Sequence, residues 1–262
     1  MKTILKNISW RAWRLWQRNF DVYKATWKVN FIPPILEPLL YLLAFGVGLG
    51  HLVNNVSFQG QTISYLKFIA PGLVATTVMN HGFFETTYAS FVRMYYQKTY
   101  NAILSTPLML EDVIMGEIIW GATKALMAGA IMLVIAVVWG LIPWQATFAI
   151  LAISFLAGMA FSSLGMCFTA IVKDIEMFNF PVFLFITPMF LFSGVFFPIS
   201  SLPAWAQYVA NILPLTFLVS ALRSLTLGHF HQSHSVQLFL LIAIAFICTF
   251  LSMSLMKKRI LK

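Results

Sequence analysis

Apolar runs close to twenty residues long recur from one end of this sequence to the other. Each is long enough to cross about 30 Å of hydrocarbon as a helix. With 60% of residues hydrophobic and 10% charged, the chain has more apolar surface than one soluble domain could bury. The class this defines is an all-α polytopic membrane protein, a single transmembrane domain over residues 1–262. The N-terminal segment carries Lys2, Lys6, Arg11, Arg14, Arg18, Lys24 and Lys28 with no apolar core ahead of a small-residue cleavage site, so it is expected to stay in the mature protein.

Six transmembrane helices are predicted, at 31–52, 67–91, 113–139, 144–172, 180–197 and 236–256. Pro33-Pro34 suits the start of the first better than its interior. The segment 51–66 between the first two reads as a polar external loop. In the fourth, Gly158, Ser162, Ser163 and Gly165 supply small residues where helices approach closely. The difficult stretch is 198–228, apolar but cut by Pro198, Pro203 and Pro214, with Arg223 in its second half. Charge decides its topology. If it crossed, Lys257, Lys258, Arg259 and Lys262 would face outward against the positive-inside rule. It is therefore read as an outer re-entrant helical hairpin between spans five and six, with both termini cytoplasmic. Such a hairpin requires protein or water around its broken backbone.

The net charge of +9 follows the same rule. Bases sit beside spans rather than in one patch, which points away from nucleic acid. Within 1–30, Trp10, Trp13, Trp16, Phe20, Tyr23 and Trp27 recur every three or four residues with bases alongside. That pattern predicts an N-terminal amphipathic helix lying in the interface against anionic lipid.

The stretch from Phe91 to Lys124 changes character twice, from bases and aromatics through Thr106-Pro107 to an apolar helix that still carries Glu117 and Lys124. It is read as a cytoplasmic elbow receiving force from elsewhere. Charges inside spans cost at least about 2.5–3.5 kcal/mol each at mid-bilayer, so Glu37, Glu85, Glu117 and Lys124 need a reason. Glu117 and Lys124 share a helix face but lie too far apart for a direct bond. Partners on other helices are expected, with Glu85 and Glu37 as candidates for Lys124 or the elbow bases. Snorkelling to the headgroups is the plain alternative for Glu37 and Glu117. His81 and Glu85, four apart, leave open a proton relay, and with Lys124 a proton-coupled secondary transporter, although no internal repeat supports one. A lipid-modifying enzyme would need clustered polar groups that the scattered acids do not supply. Cys167 and Cys248 lie in apolar runs and read as small hydrophobes. His229, His231 and His234 read as a solvated loop cluster. No nucleotide-binding glycine loop, nucleophile elbow or metal-spaced carboxylate set is visible in the sequence.

The run Thr106-Pro107-Leu108, Asp112-Val113, Gly116 to Trp120 and Ala122-Thr123-Lys124 resembles the membrane subunit of type-2 ABC exporters, in particular the nodulation protein J branch. Phe192 to Pro198, Leu202-Pro203 and Leu213 to Thr216 are similar to that family's segment from fifth span to hairpin. The resemblance implies a homodimer of permease subunits bound to two copies of a separate ABC ATPase, which would hold the ATP and magnesium; this chain would carry no catalytic, cofactor or metal site. It implies a coupling helix within 93–107, involving Arg93, Tyr96, Lys98, Tyr100, Thr106 and Pro107, and an exit hairpin at 198–228. The expected location is the bacterial cytoplasmic (inner) membrane. The implied cargo is an amphipathic, glycan- or lipid-linked molecule or a drug.

Overall fold

In the computed structural model, residues 9–49, 55–58, 61–228 and 232–260 are described. Residues 1–8 of the predicted interfacial helix, His51, His229, His231, the side chain of His234 and the C-terminal Lys262 lie outside them. The chain is 84% helical. Among the described residues four helices are long and apolar enough to cross a membrane, or five if one bent pair is a single span.

Three helices form the centre. Helix α3 (Tyr65–Phe84), α5 (Leu110–Val138) and α6 (Thr147–Ile171) pack mutually, and small residues set how closely. A Cβ on Gly165 would clash with Thr86 Oγ1 and lie 2.8 Å from the Phe83 carbonyl, and one on Gly158 would meet the Ala122 backbone at 3.1 Å. The small-residue stretch expected in the fourth span is thus the face on which the other two rest. Helix α3 itself is not among the four apolar spans. Three quarters of its residues are buried, and a helix largely surrounded by protein need not match the polarity of lipid.

The remaining elements wrap this core. Helix α1 (Ala12–Ala25) lies against α5. Helix α2 runs from Trp27 to Leu43 and passes into a wide π turn, Ala44–Leu49. It starts before Pro33-Pro34, so those prolines are interior, contrary to the expected start. Each removes one backbone donor; the Asn30 amide, which donates to Thr26 O and Thr26 Oγ1, reinforces the turn just before the interruption. Residues 55–64, expected as a plain loop, hold a two-stranded antiparallel hairpin, β1 (Asn55–Phe58) and β2 (Gln61–Ser64), with Val56 opposite Ile63. Its apolar side chains Val56, Phe58 and Ile63 pack on the core.

The elbow contains a short helix, α4 (Thr99–Leu104), entered through Lys98 in the left-handed conformation at φ 50°. Helix α7 (Ile175–Phe192) stops five residues before the predicted end. Gly194, at φ 72°, turns the chain there, because only a residue without Cβ takes that conformation freely. Helices α8 (Ala204–Ala210) and α9 (Pro214–Leu227) meet at 85°, broken where Pro214 lacks an N–H. Helix α10 (Gln232–Ile260) packs chiefly on α6 and α9.

Candidate functional site

Glu85, Arg93 and Glu117 come together where α3 gives way to the elbow. The chain there runs through two π segments, Glu85–Ala89 and Val92–Tyr96. At 3.6 residues per turn, residues eight apart point about 80° from each other. The wider turns reduce the rotation per residue and bring Glu85 and Arg93 to one side. Arg93 Nη1 donates to Glu85 Oε1 at 2.9 Å, while Nε and Nη2 reach both oxygens of Glu117 at 3.1 and 2.5 Å. The fork geometry of guanidinium suits this bidentate grip.

The cluster is completed from every side. Lys124 Nζ donates to Glu85 Oε2 at 2.8 Å and Trp120 Nε1 to Glu85 Oε1 at 2.8 Å. Ser90 Oγ donates to Glu117 Oε2 at 2.7 Å, and Tyr100 OH approaches Ser90 Oγ at 3.5 Å. Asn19 Nδ2 from α1 reaches Glu117 Oε1 at 3.5 Å. Glu117 is fully buried. Burial alone would lower the Arg93 guanidinium, but Glu117 and Glu85 outweigh it and hold it above the ordinary arginine range. Burial also pushes the Tyr100 phenol well up, with Glu117 adding to it, so Tyr100 stays a donor.

Both partner expectations for Lys124 and Glu117 on other elements are met in this arrangement. Glu37 instead lies 3.9 Å from His81. The hydrogen bonds that Glu85 accepts among the described residues come from Arg93, Trp120 and Lys124, and His81 is not one of these donors. Arg93 and Tyr100 require a correction. Both were expected to take part in contact with the ATPase, yet Tyr100 is fully buried and the Arg93 guanidinium faces the two carboxylates. Two buried anions without a second cation drew Arg93 inward. The exposed surface of the elbow is instead Tyr95, Tyr96, Gln97 and Lys98, with Asn101, Ala102 and Ser105 to Pro107 beyond.

Helix α1 seals the cluster. Its buried face is Ala12, Leu15 and Asn19, not the aromatic stripe, and Gly116 receives it: a Cβ there would lie 2.8 Å from Leu15 and 2.9 Å from the Ala12 carbonyl. The aromatics run alongside. Trp13, Trp16 and Phe20 stack at 4.1 and 5.1 Å, Trp16, Phe20 and Tyr23 pack edge-on against Trp120, and Trp10, Trp13 and Trp27 are exposed. Trp16 Nε1 donates to Thr123 Oγ1 at 3.0 Å, Arg11 Nη1 to the Pro107 carbonyl at 3.0 Å, and the Ser9 amide to Asp112 Oδ1 at 2.6 Å. The N-terminal helix is therefore tied both to α5 and to the elbow. A cavity of about 450 Å3 between α1 and the cluster is lined by Arg18, Tyr23, Glu85, Arg93 and Lys124.

Sequence reasoning missed Ser90 and Asn19. Only their placement one turn before Arg93 and on the α1 face that meets Gly116 marks them.

These features define a helical, multi-pass membrane protein whose N-terminal helix and elbow converge on a buried ion cluster. The profile of the ABC-2 type transporter family matches residues 11–227, and the chain belongs to that family. It is 36% identical over 252 residues to nodulation protein J of Rhizobium meliloti (strain 1021), covering 96% of this chain and 95% of the relative. With nodulation protein J of Rhizobium leguminosarum bv. trifolii the identity is 38% over 259 residues, 98% and 95% of the two chains. It is also 23% identical over 227 residues to the inner membrane transport permease YadH of Escherichia coli (strain K12), covering 86% of each. The chain is thus the membrane subunit of an ABC transporter, a family that works with an ABC ATPase.

Proposed function

We propose that this chain is the permease of an ATP-driven exporter, acting as a homodimer with two copies of a separate ABC ATPase that bind ATP and magnesium. The observation that carries this reading is the rooting of the elbow: exposed Tyr95, Tyr96 and Lys98 flank Arg93, whose side chain grips Glu85 just past the end of α3 and Glu117 two turns into α5. A push on the outer surface of the elbow reaches two core helices through charge-assisted bonds, which hold their geometry better than apolar contacts. Arg11 and Pro107 add a second path, through α1. The contact surface for the ATPase is Tyr96, Lys98, Thr106 and Pro107, with Arg93 and Tyr100 holding it from beneath.

The topology consistent with this role has six spans: the four apolar helices, the shielded α3, and the shorter apolar stretch Ile32–Gly46. The α8–α9 pair, at 85°, turns back without crossing and forms the exit hairpin, with Pro198, Pro203, Pro214 and Arg223. Both termini are cytoplasmic, and the membrane is the bacterial inner membrane, in keeping with the Escherichia coli relative's name. The cargo is an amphipathic, glycan- or lipid-linked molecule or a drug.

Two measurements test this. With the ATPase co-expressed, Tyr96→Ala combined with Lys98→Glu is expected to reduce co-purified ATPase about tenfold or more, as loss of an aromatic anchor does at interfaces, while the permease elutes as a folded particle. An unchanged ratio rejects the contact surface. A reporter fused after Lys262 is expected to behave as cytoplasmic, and periplasmic activity there rejects the six-span count.

A further inference from the structure

Arg223 presents a different problem from Arg93. It is 4% exposed, and among the described residues it has no carboxylate partner. Its Nε donates to the Phe68 carbonyl at 3.2 Å, and Nη2 to the Gly194 carbonyl at 2.8 Å with the Val195 carbonyl at 3.5 Å. The guanidinium plane lies over Phe68, 3.8 Å from the ring centroid, with Phe58 of β1 at 5.4 Å. Carbonyl dipoles and ring faces offset part of the cost of the buried charge, but they leave it un-neutralised. A guanidinium has five N–H donors, and the carbonyls do not use them all.

The same residue lines a cavity of about 290 Å3 between β1, the turn after α7 and one face of α9. Six hydroxyl residues line that cavity, Ser193 and Thr216 among them. Both are buried with no hydrogen-bond partner, and buried polar groups are normally paired because an unmade bond costs about 1–3 kcal/mol. A buried cation with no carboxylate partner among the described residues and two unspent hydroxyl donors thus belong to residues around one space that also has room for more than a water. Phe68 lies in the first turn of α3 and Glu85 directly after its last residue, so this space lies about 25 Å along that helix from the carboxylate cluster at 1.5 Å per residue. It is a separate site.

We infer that the cavity framed by Arg223, Ser193 and Thr216 binds a phosphate-class oxyanion, taken either from a phospholipid headgroup or from free phosphate. An oxyanion supplies the missing negative charge and accepts from all three side chains, whereas a cation would be repelled by Arg223 and a neutral apolar group would leave the donors unpaired. The volume left beyond the oxyanion itself fits the glycerol or alcohol part of a phosphodiester.

The test uses Ser193→Ala combined with Thr216→Val, because loss of Arg223 could unfold the protein. Without ligand, removing two unpartnered hydroxyls should leave the melting temperature of the purified full chain equal to or above that of the original protein. With ligand the sign reverses. Titration with inorganic phosphate, and separately with phosphatidylglycerol in the detergent micelle, is expected to raise the melting temperature of the original protein in at least one arm, with the apparent affinity about tenfold weaker in the double variant. A shift with inorganic phosphate assigns a free anion, and a shift with phosphatidylglycerol alone assigns a headgroup. No shift in either arm, or an equal shift in the double variant, overturns the site.

Discussion

Arg93→Met is expected to destabilise the purified permease by about 3–5 kcal/mol, because it leaves two carboxylates facing each other with one cation fewer. Glu85 would keep Lys124 and Trp120, but Glu117, fully buried, would retain only Ser90 and the distant amide of Asn19. Thermal unfolding in detergent reads this as a drop of roughly 10 °C, given about 2–4 °C per kcal/mol for chains of this size. Adding Glu117→Gln should restore at least half of the loss, since the second change removes the charge the first one stranded. An Arg93→Met protein as stable as the original would mean that the cluster is not what joins α3 to α5. The charge reversal Arg93→Glu is harsher still, because it sets a third carboxylate among two, and its effect on the ATPase would be hidden by loss of the fold.

Gly116→Leu is expected to lift α1 from α5. No side chain fits between Gly116 and the backbone of Ala12, and overpacking of this kind costs about 1–3 kcal/mol. That cost falls on one element held by a few bonds at its ends, so it favours local opening over global unfolding. Trypsin cleavage at Arg11, Arg14 and Arg18 should speed up roughly tenfold or more, matching the shift in opening equilibrium, while the cleavage pattern of the core helices stays the same. Unchanged cleavage would place the hold on α1 in the Trp16–Thr123 and Arg11–Pro107 bonds alone.

How far the sequence foretold this arrangement depends on the kind of interaction involved. Length and apolarity revealed α5, α6, α7 and α10, since each must satisfy the membrane largely by itself. They also revealed that Glu117 and Lys124 needed partners, because a buried charge announces its own cost. They did not reveal which base would answer Glu117. Arg93 looks like a surface residue in its local context, flanked by Val92, Met94 and two tyrosines, and only the π turns place it inward. The packing face of α1 was hidden for a similar reason: the aromatic stripe is the louder periodic signal, but Gly116 on a distant helix selects Ala12, Leu15 and Asn19. The hairpin at 55–64 was obscured by its polar residues, although Val56, Phe58 and Ile63 alternate as a half-buried strand pair would. Pro33 and Pro34 misled because proline starts soluble helices more often than it interrupts them, a preference that neighbouring helices and side-chain amides relax inside a bundle.

Helix α3, the least lipid-like of the core, also has a consequence for how the chain is made. The ribosome delivers its Thr76, Thr77, Asn80 and His81, and Glu85 just after them, before Arg93, Lys124 or the small face of α6 exists. A helix of that composition has little reason to remain in lipid unaccompanied. Its stable insertion is therefore expected only once α5 and α6 have been made, with the ion cluster closing that step.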